Sequence, residues 1–200
     1  MARDLAIACK CGQVSGVLRG ITPARGTLCR CYCTDCRAFS RHVGAADSHD
    51  AHGGIEIFQT LPGRLEFLTG QEQLRALQIT SGGLLRFYAG CCGTQFGNML
   101  PGGKLRFVGL PLPAFPEPDA RDVMGPVLSV NCAKEAPGGN APERSFGYKT
   151  AVNRALLRQL ASIVFLAPRG FPYFENGQPI ADPHVLTEAE RAAAYVEDAQ

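Results

Sequence analysis

The chain has little charge of one sign. Its formal net charge is +2, too small to select a nucleic acid or an acidic membrane surface by electrostatics, so neither is expected as a partner. A long apolar run is also missing. The longest near the C-terminal end, residues 161–167, follows Arg158 closely and is far short of the roughly 20 apolar residues of a spanning helix. No bilayer span is expected. The first residues, M-A-R-D-L-A-I-A-C-K-C-G, put charge into a short apolar run and carry no cleavage pattern, so no secretory signal is read there. A cytoplasmic, reducing setting follows as the expectation, and internal repeats and low-complexity tracts are absent.

Cysteine, in contrast, is plentiful and clustered. Nine cysteines occur in 200 residues. Four of them fall in C-R-C-Y-C-T-D-C at 29 to 36, two in C-K-C-G at 9 to 12, and two in A-G-C-C-G-T at 89 to 94. In a reducing compartment such spacing suggests metal ligands or reactive thiols before disulfides.

Geometry selects among the central four. Side chains at i and i+2 of a strand share a face, about 6.6 Å apart at the backbone, and a tetrahedral zinc site needs sulfurs about 3.8 Å apart. Cys31 and Cys33 can satisfy that, and a turn at Thr34-Asp35 can bring Cys36 to the same point. Cys29 would lie about 13 Å from Cys33 on an extended strand. Three ligands are therefore expected, Cys31, Cys33 and Cys36, with the fourth zinc position open, which is the mark of a reactive site. Cys29 and Cys132 read as core cysteines. His42, His49 and His52 lie in an irregular polar stretch and read as solvated loop residues, with His52 the one able to approach an open metal position.

Around these motifs the chain reads as mainly β. Leu5 to Ala8 and Val14 to Arg19 flank C-K-C-G as a hairpin with two thiols at its tip, where Gly12 supplies backbone freedom. Thr27 to Tyr32 is a further extended run, and T-D-C-R-A-F starts a turn or short helix. Strand-length runs with Gly and Pro punctuation continue from Ile55 to Tyr88 and argue for antiparallel sheet. The organisation expected is a β domain over 1–110, a Pro/Gly-rich linker or ordered loops over 111–147, and a helical extension over 148–200. Within that extension Val152, Leu156, Leu157, Leu160 and Ile163 recur at helical spacing, an apolar face for packing on the β domain. Thr187-Glu188-Ala189-Glu190 is a capping box for a second helix.

C-K-C-G at 9 to 12, C-Y-C-T-D-C-R at 31 to 37 and R-F-Y-A-G-C-C-G-T at 86 to 94 together resemble, in order and spacing, the three motifs of the glutathione-dependent formaldehyde-activating enzyme family, typified also by centromere protein V. The resemblance covers about the first 110 residues. It implies a small zinc-bound domain of coiled sheets, in which the outer motifs hold a structural zinc and Cys31, Cys33 and Cys36 the zinc assigned to catalysis. One position departs: Ala89 stands where the family's C-x-x-C begins. Cys9, Cys11 and Cys92 then lack one partner, and Cys91, Cys132 or a histidine can fill the gap, unless the zinc is lost and the thiols simply pack. Adjacent thiols such as Cys91 and Cys92 point to opposite faces of a strand, so their joint use needs a distorted turn.

Two functions follow. The first is a zinc-dependent carbon–sulfur lyase or ligase, as the resemblance implies, acting on a small aldehyde and a thiol such as glutathione. The second is a non-catalytic, zinc-stabilised binding module. A fourth protein ligand at the central triplet separates them, since it closes the site. Arg37 reads as a surface charge or as the partner of a thiolate-rich centre, and Arg86 as structural.

Overall fold

The computed structural model describes residues 1–101, 106–164 and 172–196. Over them the chain is mainly β, with four helices. In chain order, β1 (Arg3–Ala8), β2 (Ser15–Ile21) and β3 (Thr27–Cys31) lead into α1 (Thr34–His42). Then come β4 (Ile55–Thr60), β5 (Leu65–Thr69), β6 (Leu74–Gln78), β7 (Leu85–Ala89), β8 (Gln95–Met99) and β9 (Val108–Pro111). The remainder holds α2 (Ala120–Met124), β10 (Val127–Asn131), α3 (Tyr148–Val164), β11 (Phe174–Glu175), β12 (Gln178–Pro179), β13 (Pro183–Val185) and α4 (Glu188–Tyr195).

β1 and β2 form the hairpin expected around C-K-C-G, with Ala8 opposite Ser15. Alternation turns Leu5, Ile7 and Leu18 inward, as period two requires. β5 completes a three-stranded sheet in the order β1-β2-β5, and a second sheet runs β10-β3-β4-β9-β8-β7-β6-β13. Its interior pairs are antiparallel, whereas β10 joins β3 and β13 joins β6 in parallel. The sheet thus takes its two outermost strands from beyond the boundary expected near residue 110.

Leu18, Phe58, Phe87 and Phe96 lie at the centre of the main core, which both sheets share. Tyr173 joins them from beyond α3: its ring centre is 4.6 Å from that of Phe87, and its hydroxyl donates to the Phe96 carbonyl at 2.5 Å. Truncating a buried aromatic of this kind typically costs about 3–5 kcal/mol. The tail is therefore part of the core.

α1 packs through Ala38 and Phe39 against Leu77, Leu186 and Ala194. α4 begins at the capping box read in the sequence, with Thr187 and Glu190 bonded reciprocally, and its Tyr195 hydroxyl donates to Asp35 at 2.5 Å. The N-terminal turn of α1 is held from behind.

α3 overturns the expectation for its apolar face. Arg154 donates to the carbonyls of Pro23 at 2.6 Å and Gly26 at 3.0 Å, and Arg158 to the Thr27 hydroxyl at 3.0 Å. The turn before β3 thus offers acceptors that only a polar side chain can meet, and the helix docks by its arginines. Burial, with the nearby Arg154 charge, lowers Arg158 to about 10. Leu157 and Ile163 are consequently 64% and 59% exposed. No helix among the described residues is long and apolar enough to cross a membrane.

Candidate metal centres

Cys9 ends the hairpin's first arm, and its Sγ accepts the Val14 amide at 3.2 Å. Gly12 turns the chain there with φ of 79°. From the β7–β8 connection come Cys91 and Cys92. Cys9 Sγ lies 3.4 Å from Cys11 Sγ and 3.9 Å from Cys91 Sγ, and Cys11 Sγ lies 3.2 Å from Cys91 Sγ. All four sulfurs fall within 4.8 Å of one another.

After Ala89 the chain makes the distorted turn that joint use of two adjacent thiols requires. The Ala89 carbonyl accepts from the amides of Cys92 at 3.3 Å and Gly93 at 2.8 Å. This winds the chain back and leaves the Cys91 and Cys92 sulfurs 3.9 Å apart. Gly93 makes the winding possible: φ is 74°, and a Cβ there would sit 1.9 Å from the Val43 carbonyl oxygen. Burial pushes the Cys92 thiol up, but the Thr94 hydroxyl and backbone amides at Thr94 and Cys11 outweigh it and hold the group at about 6. Four soft donors near tetrahedral spacing can hold a metal ion. Neither Cys132 nor any histidine belongs to the group.

The second group is built at the junction of β3 and α1. Cys31 is the last residue of β3, Cys33 caps α1, and Cys36 sits in its first turn. As N-cap, Cys33 accepts the Cys36 amide on its Sγ at 3.4 Å. The Cys31 and Cys36 sulfurs are 3.9 Å apart, and all three lie within 4.8 Å of one another. Among the described residues no fourth cysteine, histidine or carboxylate joins them. Cys29 is excluded, as strand geometry predicts: its buried thiol donates instead to the Ile57 carbonyl at 3.3 Å.

Two positive features favour thiolate here. The first turn of α1 aims the Cys36 amide at Cys33 Sγ, at the positive end of the helix dipole. Arg86, 3% exposed, reaches from β7 to within 3.9 Å of Cys36 Sγ while bonding Asn98 Oδ1 at 3.4 Å. Hydrogen bonds from Cys31 and Cys33, with the Arg86 charge, hold Cys36 well below the usual thiol range. Cys31 is raised in turn, through its hydrogen bonds with Cys33 and Cys36 and through burial. The reading of Arg86 as merely structural missed this role, because only the fold brings β7 behind α1. A charged residue between Leu85 and Phe87 in an otherwise apolar strand is the signal that was there. Arg37 is not a surface charge. It is buried, donating to the Tyr32 carbonyl and, at 2.7 Å, to that of Glu135, and so fixes the loops beside the group.

The three thiols face a cleft of about 490 Å³, which Arg86, Asn98 and Asn131 line together with the carboxylates of Asp35 and Glu135. Glu135 accepts the Thr34 amide at 3.0 Å. Cys132, in the left-handed region at φ 55°, stays outside the group, and burial followed by the neighbouring Glu135 pushes its thiol up to about 12. His52 is exposed, His42 stacks on His184 with centres 6.5 Å apart, and His49 bonds the Ser40 hydroxyl at 2.7 Å. Partial burial, followed by the nearby Arg37 charge, lowers the pKa of His49.

A family model described as "Family of unknown function (DUF6151)" matches residues 1–184. No curated protein matches the chain. Among solved structures, a structural-genomics crystal structure of a Rhodobacter sphaeroides protein is similar at 18% identity and a TM-score of 0.42, over 64% of this chain and 99% of that one.

Proposed function

The chain belongs to DUF6151, a family of unknown function, and we propose that it binds two zinc ions, a closed structural one and an open one that serves carbon–sulfur bond chemistry. Cys9, Cys11, Cys91 and Cys92 are assigned to the first, and Cys31, Cys33 and Cys36 to the second. The observation that carries the reading is the difference in donor count: four thiols at the sheet edge, three at the mouth of a cleft. Tetrahedral thiolate sets suit zinc. The motif resemblance to glutathione-dependent formaldehyde-activating enzymes supports the same division.

Bound there, zinc would keep an incoming thiol in its thiolate form or polarise a carbonyl. The chain's own residues do the rest. Arg86 favours thiolate at Cys36, Arg37 fixes the loops that shape the cleft, and the Glu135 carboxylate on the cleft wall is assigned the proton a thiol releases. The substrates are a small aldehyde and a small thiol, glutathione being the one the resemblance implies. A reducing cytoplasm suits nine free cysteines. A purely structural module has less support, because three thiols facing an open cleft are what a closed site lacks.

Elemental analysis of freshly reduced protein tests this. Two zinc ions per chain are expected, falling to one in Cys33→Ser with the fold retained. Cys11→Ser should also lose one, with a lower melting temperature because a structural ion couples to folding. Cys29→Ser should keep both. Well under one zinc per chain in the unmodified protein overturns the proposal.

A further inference from the structure

The cleft does not end at the thiols. A second cavity of about 390 Å³ adjoins it, and Gln59, Leu84, Phe107 and Asn131 line both. Its far wall is the outward face of α3, where Val152 and Leu156 are 37% and 50% exposed. The arginines that dock α3 on the β3 turn put that face there. Among the described residues Arg106 is the one charged member of the lining.

We propose that the two cavities form one binding site for a small amphiphilic molecule, with a thiol head at Cys31, Cys33 and Cys36 and an apolar body along Leu84, Phe107, Val152 and Leu156. This rests on the open-site reading above and narrows its thiol. The inner end presents the carboxylates of Asp35 and Glu135 beside the thiols, and its buried cation Arg86 is already engaged by Cys36, Asn98 and, at 3.8 Å, Asp35. A thiol carrying two carboxylates and one ammonium, as glutathione does, brings net negative charge to that end and, Arg106 apart, meets mainly apolar surface beyond it. A neutral alkyl or aryl thiol gains from both ends, because apolar area leaves water in the outer cavity.

Isothermal titration of the full chain with hexanethiol, 2-mercaptoethanol and glutathione tests the proposal, with zinc content read on the same sample. Hexanethiol is expected to bind roughly tenfold to a hundredfold more tightly than either of the others. Leu156→Gln and, independently, Val152→Asn should erase most of that gain. Leu157→Gln, on the same helix but outside the cavity, should not, and melting curves report whether each variant is folded. Equal affinities, or glutathione binding as tightly as hexanethiol, overturn the inference while leaving the zinc reading intact. Should the protein lack zinc and bind no thiol, that reading fails, and titration with 1-hexanol decides the apolar site alone. Binding of 1-hexanol that Leu156→Gln abolishes upholds it, and no binding overturns it.

Discussion

Arg86 and Cys36 face each other in the interior, Nη1 to Sγ at 3.9 Å, with the guanidinium also 5.4 Å from the centre of the Phe39 ring. A buried cation at this distance favours thiolate at Cys36, and a charged hydrogen bond of this kind contributes about 1.5–3 kcal/mol. Arg86→Met should therefore weaken metal retention at the triplet roughly tenfold or more, without touching the four-thiol group. A chelator titration that resolves two release steps checks this: only the weaker step should move.

Gly93 and Gly12 both sit at positive φ, but they differ in what surrounds them. A Cβ at Gly93 meets the Val43 carbonyl, while one at Gly12 meets nothing within 4 Å. Gly12→Ala should cost about 1 kcal/mol for backbone conformation alone. Gly93→Ala should cost at least about 2 kcal/mol, because the turn that gathers Cys91 and Cys92 must shift. At about 2–4 °C per kcal/mol for a chain of this size, thermal melting separates the two.

Arg154 ties α3 to the turn before β3 through two carbonyls. Arg154→Ala should loosen the helix while the sheets persist, since the side chains α3 turns outward contribute little to the core. Chymotrypsin should then cut early at Leu156 or Leu157, with the main melting transition lowered by only a few degrees.

Glu190 is held at about 2, below its ordinary 4.5, by the Thr187 amide first and then by His184 and the Thr187 hydroxyl. A carboxylate depressed in the folded state adds stability above its unfolded pKa and loses it as pH falls through the folded one. The α4 N-terminus should accordingly fray between about pH 4.5 and pH 2, and Glu190→Gln should remove that dependence. Amide exchange across residues 188–190 reads it directly.

Local chemistry was legible in the chain itself. The C-K-C-G hairpin tip, the i, i+2 thiols with a turn to Cys36, the exclusion of Cys29 and the Thr187 capping box all depend on neighbours a few residues apart. What could not be read depends on distant partners. Whether Ala89 breaks the outer group turns on Gly93 packing against Val43. Arg86 gains its meaning from α1, fifty positions upstream. For α3, periodicity identified the apolar stripe correctly, but the direction that stripe faces is decided by carbonyls at Pro23 and Gly26. The parallel joins of β10 to β3 and of β13 to β6 carry no sequence signature.

Those parallel joins set the order in which the molecule can be completed. Both rims of the large sheet are finished by segments that leave the ribosome after residue 125. Until then β3, the strand that ends in Cys31, is an open ladder of amides and carbonyls, able to pair with any other extended chain. A chain cut near residue 110 would keep every thiol of both groups yet expose β3 and β6 as bare rims and lose the Tyr173 plug. Such a fragment should self-associate, so the last third of the chain acts as a safeguard against polymerisation for the cysteine-bearing part made before it.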